Sequence, residues 1–184
     1  MIFYILYIFF LILFAGRYRL TQNVVIGNKK FGFTMAIMTI IFLSACRFNI
    51  GFDWSNYLRQ IYPVYTPSSI AKFEPLSLFY IKLAGSLGAP IVMYALFAIT
   101  TYSFVALGIK RYSISKFESL MIYFTLFYFD SISIMRQSAA VAVTFYAFRY
   151  IKEKKIFKYL IMCFIAMLYH KSAIIAIPLY FIYY

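Results

Sequence analysis

Acidic residues are scarce in this chain of 184 residues, which carries 5 Asp and Glu against 18 Lys and Arg. Charged residues of either sign make up only 12% of the chain, whereas 65% of its residues are hydrophobic and 23% are aromatic. A soluble domain of this length cannot bury so much apolar surface. The scarcity of charge therefore excludes an ordinary soluble fold and favours helices that span a lipid bilayer.

Cysteine and histidine are also rare. The two cysteines, Cys46 and Cys163, have no CxxC spacing and lie in or at the ends of apolar runs, which indicates small core residues and not a disulfide framework. The single histidine, His170, has no second His or Cys nearby, which argues against a zinc site. The chain also lacks a nucleophile elbow, a phosphate-binding glycine loop and a metal motif. We therefore predict neither a cofactor nor a metal.

Long apolar runs broken by short charged loops predict an all-α, polytopic transmembrane bundle of about seven spans, each needing about 20 apolar residues or somewhat fewer. A transmembrane β-barrel would alternate polar and apolar residues, whereas the run 121–129 is apolar on every side. We treat 1–184 as a single transmembrane domain, and expect the intact protein to continue beyond its last, short span. The predicted spans lie near 1–16, 31–46, 89–109, 119–135, 137–151, 156–169 and 172–184.

The basic residues predict the orientation of these spans. The loop after the first span carries four positive charges and no acid, so the positive-inside rule places it in the cytoplasm and the N-terminus outside. The later loops alternate in the same way, and most of the Lys and Arg fall inside. We therefore assign the net charge of +13 to topology and anionic lipid contact, and predict no nucleic-acid partner. The chain is therefore predicted to be a multi-pass membrane protein.

The longest polar stretch, 47–88, is predicted to be an extracytoplasmic loop. Within it, EPLSLFYIKLAGSLG has apolar positions at helical spacing, and Pro75 after Glu74 suits the first turn of a helix. A helix near 75–87 is too short to span a bilayer, so we expect an interfacial or re-entrant helix with Phe79 and Tyr80 near the headgroups. The alternative is an ordinary amphipathic surface helix.

Polar residues at the outer ends of the predicted spans form the candidate site, because an ionisable group at a span end needs a partner or a task. These residues are Arg47, Asp53, Glu74, Arg136, Gln137 and His170. The guanidinium of Arg47 suits bidentate contact with phosphate oxygens, but snorkelling or an ion pair with Asp53 would explain it equally well. Gly51 lets the chain turn sharply after it.

Arg136 and Gln137 fall between two apolar runs that leave almost no loop, in the order SISIMRQSAAVAV. A tight re-entry would place them at the N-terminus of the next helix, where the helix dipole and the arginine together favour an anion. The alternative is a hairpin whose arginine faces lipid headgroups. Asp53 and Glu74 are the carboxylates that could act as a general base, and His170 could transfer a proton.

Four motifs occur in order along the chain: RFNIGFDWSNY, EPLSLFYIKLAGSLG, MRQSAAVAV and YHKSAI. Together they resemble the EpsG family of bacterial membrane proteins, which is related to Wzy-type polysaccharide polymerases. Members of that family are much longer, so the resemblance covers an N-terminal half. The matching positions are Arg47, Gly51, Asp53, Tyr57, Glu74, Pro75, Arg136, Gln137, Ala140, His170 and Ser172.

The resemblance implies a glycosyl-transferring polymerase that joins polyprenyl-diphosphate-linked repeat units of an exopolysaccharide or capsule at the outer face of the bacterial cytoplasmic membrane. Arg47, Arg136 and Gln137 would then bind the diphosphate, while Asp53 or Glu74 activates the acceptor hydroxyl and His170 assists. The implied partners are the lipid-linked oligosaccharide, membrane lipid and other polysaccharide assembly and export proteins. The alternatives are a transporter or flippase for lipid-linked or anionic solutes, against which the nearly uncharged span midplanes argue, and a scaffold subunit of an export complex.

Overall fold

The computed structural model describes residues 29–51, 53–61 and 73–183. All regular secondary structure in these residues is helical, which confirms the predicted all-α class for this part of the chain. The elements are α1 (Lys29–Ala45), α2 (Trp54–Ile61), α3 (Pro75–Ser86), α4 (Pro90–Tyr112), α5 (Lys116–Ser133), α6 (Met135–Lys152), α7 (Ile156–Tyr169), a 3₁₀ helix (Lys171–Ala176) and α8 (Leu179–Tyr183).

The helix boundaries follow sequence signals. Pro75 and Pro90 occupy the first turns of α3 and α4, where their missing N–H groups have no helical partner to lose. Arg111 and Arg149 lie in the last turns of α4 and α6, where positive charge complements the helix dipole. Helices α1 and α4 to α7 agree with five predicted spans to within a few residues. The first predicted span, 1–16, lies outside the described residues.

The last predicted span differs from the structure. Residues 172–184 were expected to form one helix, but residues 171–176 form a 3₁₀ helix and only Leu179–Tyr183 is α-helical. Pro178 lies directly before that second helix, and a proline that lacks its N–H group and restricts the preceding residue interrupts a helix at this point.

Helix α4 lies at the centre of the bundle and packs against α1, α3, α5 and α6, while α6 also packs against α7. The small residues expected to give α6 a thin face are buried there, with Ala139 and Ala140 almost fully enclosed. Small side chains let neighbouring helix backbones approach closely. The start of α6 is therefore held firmly among its neighbours, and this is where the site lies.

Helix α3 is buried more deeply than its sequence suggested. Ser77, Ile81 and Ala84 face the bundle, where α3 packs against α4 and α7. Phe79 is exposed, but the hydroxyl of Tyr80 hydrogen-bonds to Thr100 at 3.1 Å and to Tyr169 at 2.9 Å. The headgroup position of Tyr80 stays a prediction, and the structure adds that the hydroxyl of this half-buried side chain is directed towards polar partners in the bundle.

Among the described residues, one helix, α4, is both long and apolar enough to cross a bilayer, with a mean hydropathy of 1.8. Shorter apolar helices occur at Gly32–Ala45, Ile156–Tyr169 and Lys171–Tyr183. Large apolar side chains are exposed on several helices, including Phe42 on α1, Leu126 on α5 and Phe164 on α7. Exposed apolar side chains of this kind are typical of surfaces that contact a membrane or another protein.

Candidate functional site

The site is built on a break between α5 and α6. Only Ile134 separates the two helices, and its backbone angles, φ −107° and ψ 57°, are not helical. Helix α6 begins at Met135, so Arg136 and Gln137 occupy its first turn. The first N–H groups of a helix have no partner within it and carry the positive end of its dipole. The tight re-entry expected from the sequence is therefore present.

Arg136 is held by a buried carboxylate. Its Nη1 donates a hydrogen bond to Oε2 of Glu74 at 2.8 Å, and its guanidinium lies 4.7 Å from the centre of the Phe73 ring. The side chain of Arg136 is 24% exposed, whereas that of Glu74 is 5% exposed. The carboxylate thus supports the arginine from the interior, and the arginine keeps part of its surface accessible.

The other oxygen of Glu74 reaches the end of α7. Oε1 accepts a hydrogen bond from the backbone N–H of Lys171 at 3.2 Å and lies 3.2 Å from Nδ1 of His170. The histidine nitrogen is at ion-pair distance but is not aligned for a hydrogen bond. One carboxylate therefore joins three places that are distant in sequence: the start of α3, the start of α6 and the junction after α7.

These contacts determine the charge of Glu74. Burial alone would raise the pKa of the carboxyl group, but backbone N–H groups, including that of Lys171, and the charges of Arg136 and His170 outweigh it. The pKa of Glu74 is therefore lower than its ordinary value. Glu74 is ionised at neutral pH and is a weak base in this arrangement.

Tyr57 connects this cluster to Asp53. Tyr57 is buried on α2, where burial raises the pKa of its phenol while the guanidinium and backbone N–H of Arg136 act against that rise. Asp53 interacts electrostatically with the same phenol and lies directly before α2. Its Oδ1 accepts a 3.3 Å hydrogen bond from Asn56, and the side chain is half-buried. Asp53 thus lies on the Arg136 side of the break.

Arg47 lies on the interior side of the break. It is 6% exposed, and its Nη1 donates a hydrogen bond to the backbone carbonyl of Ile132 in the last turn of α5. Its Nη2 contacts the sulfur of Met135, and the Tyr94 ring centre lies 4.7 Å from the guanidinium carbon. Within the described residues no ion pair joins Arg47 to Asp53. The structure therefore excludes both the snorkelling and the ion-pair interpretations of Arg47.

Gly51 packs against the same carbonyl. Its φ is +105°, and a Cβ atom added there would lie 3.0 Å from the carbonyl oxygen of Ile132. Only glycine adopts this conformation without strain and leaves that space free. Arg47 and Gly51, the first and last residues of RFNIG, thus both contact the last turn of α5 and stabilise the break that precedes Arg136.

Arg47 lines a cavity of about 10 Å³ between α1, α4 and α5, which is room for roughly one water molecule. Hydroxyl groups form part of its wall and are linked to one another: Ser44 donates to Tyr102 at 3.1 Å, and Tyr102 bonds to Ser131 at 2.9 Å. The lining residues are Ser44, Arg47, Tyr94, Phe97, Ala98, Thr101, Tyr102, Ser131, Ile132 and Met135.

A model of the EpsG family matches residues 30–184 of this chain. The chain belongs to the EpsG family. No curated protein sequence and no solved structure matches this chain significantly. The matched range includes every candidate site residue described above.

In this EpsG-family chain, the six candidate residues divide into groups. The structure brings Glu74, Arg136 and His170 into contact, and Tyr57 links Asp53 to them. Gln137 is exposed on the first turn of α6, whereas Arg47 is enclosed behind the break. The diphosphate-binding role of Arg47 stays a prediction. Its side chain is buried beside the interior cavity and does not reach the surface next to Arg136.

Sequence reasoning missed the aromatic partners of both arginines. Phe73 covers Arg136 and Tyr94 covers Arg47, each at 4.7 Å. Phe73 directly precedes the Glu-Pro motif, so its position next to Glu74 was a usable signal. Tyr94 lies within an apolar helix, and nothing in its local sequence distinguishes it from other buried aromatic residues.

Proposed function

We propose that this chain forms part of a membrane polymerase that joins polyprenyl-diphosphate-linked repeat units of an exopolysaccharide or capsule. The acceptor hydroxyl oxygen forms a bond to the anomeric carbon of the growing chain, and the bond from that carbon to the diphosphate oxygen breaks. The hydroxyl proton passes to a base, and the carrier diphosphate leaves. Membership of the EpsG family supports this reaction class, and the site offers the charges that it needs.

The observation that carries the proposal is the position of Arg136. A partly exposed guanidinium at the N-terminal end of α6 combines a positive charge with the positive end of the helix dipole, and this combination binds phosphate groups. Glu74 keeps the guanidinium in place from the buried side. Charge that develops on the leaving diphosphate would be stabilised there without reorganisation of the site. Gln137, exposed in the same turn, is a further donor to the diphosphate.

Asp53 is the better of the two candidate bases. Both oxygens of Glu74 are engaged and its pKa is lowered, so it accepts a proton poorly. Asp53 is half-buried and accepts one 3.3 Å hydrogen bond from Asn56. We assign Asp53 as the general base, Glu74 as the residue that positions Arg136, and His170 as an assisting proton-transfer group.

The proposal places α1 and α4 to α7 across the cytoplasmic membrane, with the Arg136 cluster on the outer face. The distribution of basic residues supports this orientation. Arg111 in the last turn of α4 and Glu153 just after α6 meet at 3.2 Å at the opposite end of the bundle. Basic residues concentrate there in the last turns of both helices, as expected of a cytoplasmic side. The Arg136 cluster would then face the outer side of the cytoplasmic membrane, where the proposed reaction joins lipid-linked units.

The test is polymer formation by the intact protein in liposomes that contain lipid-linked repeat units. Asp53→Asn should abolish the ladder, and Arg136→Lys, which keeps a cation but loses the two-pronged donor, should slow it about 100-fold. Arg111→Lys, at the other end of the bundle, is the matched control and should leave the ladder unchanged. A full ladder from both Asp53→Asn and Arg136→Lys would overturn the proposal and favour a scaffold role.

A further inference from the structure

Arg47 is a buried cation without an acidic partner. All 5 acidic residues of the chain lie in the described segments, and none of them forms an ion pair with Arg47 there. Glu74 is taken by Arg136, and Glu153 by Arg111 and Lys155. The positive charge on this side of the break is therefore not neutralised by any carboxylate of the chain.

An uncompensated charge in a low-dielectric interior is strongly unfavourable. The carbonyl of Ile132 and the face of Tyr94 offset part of this cost, because both present negative partial charge to the guanidinium. Neither carries a full charge, and Nε of Arg47 is buried without a hydrogen-bond partner. The guanidinium thus retains both unneutralised charge and an unused donor.

The cavity next to Arg47 offers donors to an occupant. The hydroxyls of Ser44, Tyr102 and Ser131 are linked in a chain that ends on the carbonyl of Tyr128. Thr101 is buried in the same wall, and within the described segments no hydrogen bond engages its hydroxyl. An occupant would lie beside Arg47 and Thr101, whose guanidinium and hydroxyl are both donors, and no carboxylate lines the cavity. Such a lining selects an anion.

The volume limits which anion fits. A cavity of about 10 Å³ holds roughly one water-sized species. A phosphate group, with four oxygens, exceeds it, and the diphosphate of a lipid carrier exceeds it further. A monatomic halide such as chloride is only somewhat larger than a water molecule, so a small shift of the lining side chains would admit it, and unlike water it would neutralise the guanidinium.

We propose that the Arg47 cavity binds a single halide ion, chloride under cellular conditions. The ion would lie between the end of α1, the middle of α4 and the end of α5, and would neutralise the charge that holds the α5–α6 break. It would thereby stabilise the fold around Arg136 without taking part in the chemistry. This proposal does not depend on the polymerase activity.

Thermal unfolding of the intact protein in detergent tests the proposal. Sodium gluconate is replaced by sodium chloride, sodium bromide or sodium phosphate at constant ionic strength. The unfolding midpoint should rise and saturate with chloride and with bromide, since a ligand that binds only the folded state stabilises it. Phosphate should have no such effect. A midpoint that does not respond to chloride, or that responds equally to phosphate, would overturn the proposal.

Variants locate the effect. Arg47→Gln should remove the chloride response, and Thr101→Val should weaken apparent chloride affinity about 10-fold, as loss of one hydrogen bond to a charged group predicts. Arg59→Gln removes an exposed positive charge on α2 and should respond like the natural protein. If Arg47→Gln does not fold, Thr101→Val decides alone: an unchanged chloride affinity in that variant contradicts the assignment. Bromide density in the cavity, seen by anomalous scattering, would establish the position directly.

Discussion

The two ends of α6 each carry a carboxylate between two basic groups, but the two clusters differ in burial. At the first end, Glu74 lies 2.8 Å from Arg136 and 3.2 Å from His170. At the second, Glu153 lies 2.8 Å from Lys155 and 3.2 Å from Arg111. The distances are the same, yet the Glu74 side chain is 5% exposed and that of Glu153 is 25% exposed. Distance alone therefore does not distinguish the candidate site from an ordinary surface cluster.

The pKa directions do not distinguish them either. The pKa of Glu153 is lowered, chiefly by its hydrogen bond with Lys155, and the pKa of Glu74 is lowered in spite of burial. Solvent and salt screen the exposed pairs, whereas a buried carboxylate depends on every partner that it has. Both ends contain ion pairs, so the presence of an ion pair does not distinguish the candidate site. The distinguishing quantity is the loss in free energy of unfolding when a partner is removed, which is expected to be larger at the Glu74 end.

The largest expected effect is that of removing the buried carboxylate. Glu74→Gln leaves Arg136 and His170 without their acid and should reduce the free energy of unfolding by about 3 kcal/mol or more. Glu153→Gln, the matched change at the other end, should leave the unfolding midpoint almost unchanged. Thermal unfolding of both variants in detergent measures the difference. Equal midpoints for the two variants would show that burial does not separate the two ends.

Backbone conformation offers a second contrast, because substitutions at positive-φ positions near the two ends should change stability in opposite directions. Gly51→Ala places a Cβ 3.0 Å from the Ile132 carbonyl at a φ of +105° and should lower the unfolding free energy by about 1–3 kcal/mol. Lys154, just after α6, has a φ of +56°, so Lys154→Gly should stabilise the protein by about 1 kcal/mol. Unfolding midpoints test both changes. A Gly51→Ala variant as stable as the natural protein would mean that close packing of the RFNIG segment does not stabilise the break between α5 and α6.

Acid should weaken the Glu74 end as its carboxylate becomes protonated. Because the folded-state pKa of Glu74 is lowered, its contribution to stability is complete above the unfolded-state value of about 4.3 and is lost as pH falls through the folded-state value. This contribution is measured as the difference in unfolding free energy between His170→Gln and the double variant that adds Glu74→Gln, since the contact between Glu74 and His170 is absent from both variants. The difference should shrink as the pH falls below the unfolded-state pKa. A difference that is constant with pH contradicts an ionised Glu74.

The sequence predicted at which end of the bundle the site residues lie better than it predicted which side chains they contact. Apolar runs and the alternation of basic loops are local signals, so they located the helices and placed Glu74, Arg136 and His170 at one end of the bundle. Which side chains meet depends on how the helices rotate about their axes, and the apolar runs around Arg47 and Tyr80 carry little information about rotation. Arg47 turned towards the Ile132 carbonyl, and Tyr80 towards Thr100 and Tyr169. In both cases buried hydrogen-bonding groups on another helix decided the direction.

The smallest expected effect is at the exposed end, where Arg111→Gln removes the 3.2 Å contact with Glu153. Surface ion pairs contribute little and are screened by salt. The variant should therefore unfold at nearly the same temperature as the natural protein, with a slight difference at low ionic strength that disappears as salt is added. At the other end, the destabilisation caused by Glu74→Gln should persist in high salt because that pair is buried. Salt dependence thus separates the clusters even though their distances match, and a salt-sensitive Glu74→Gln effect would place its ion pair in contact with solvent.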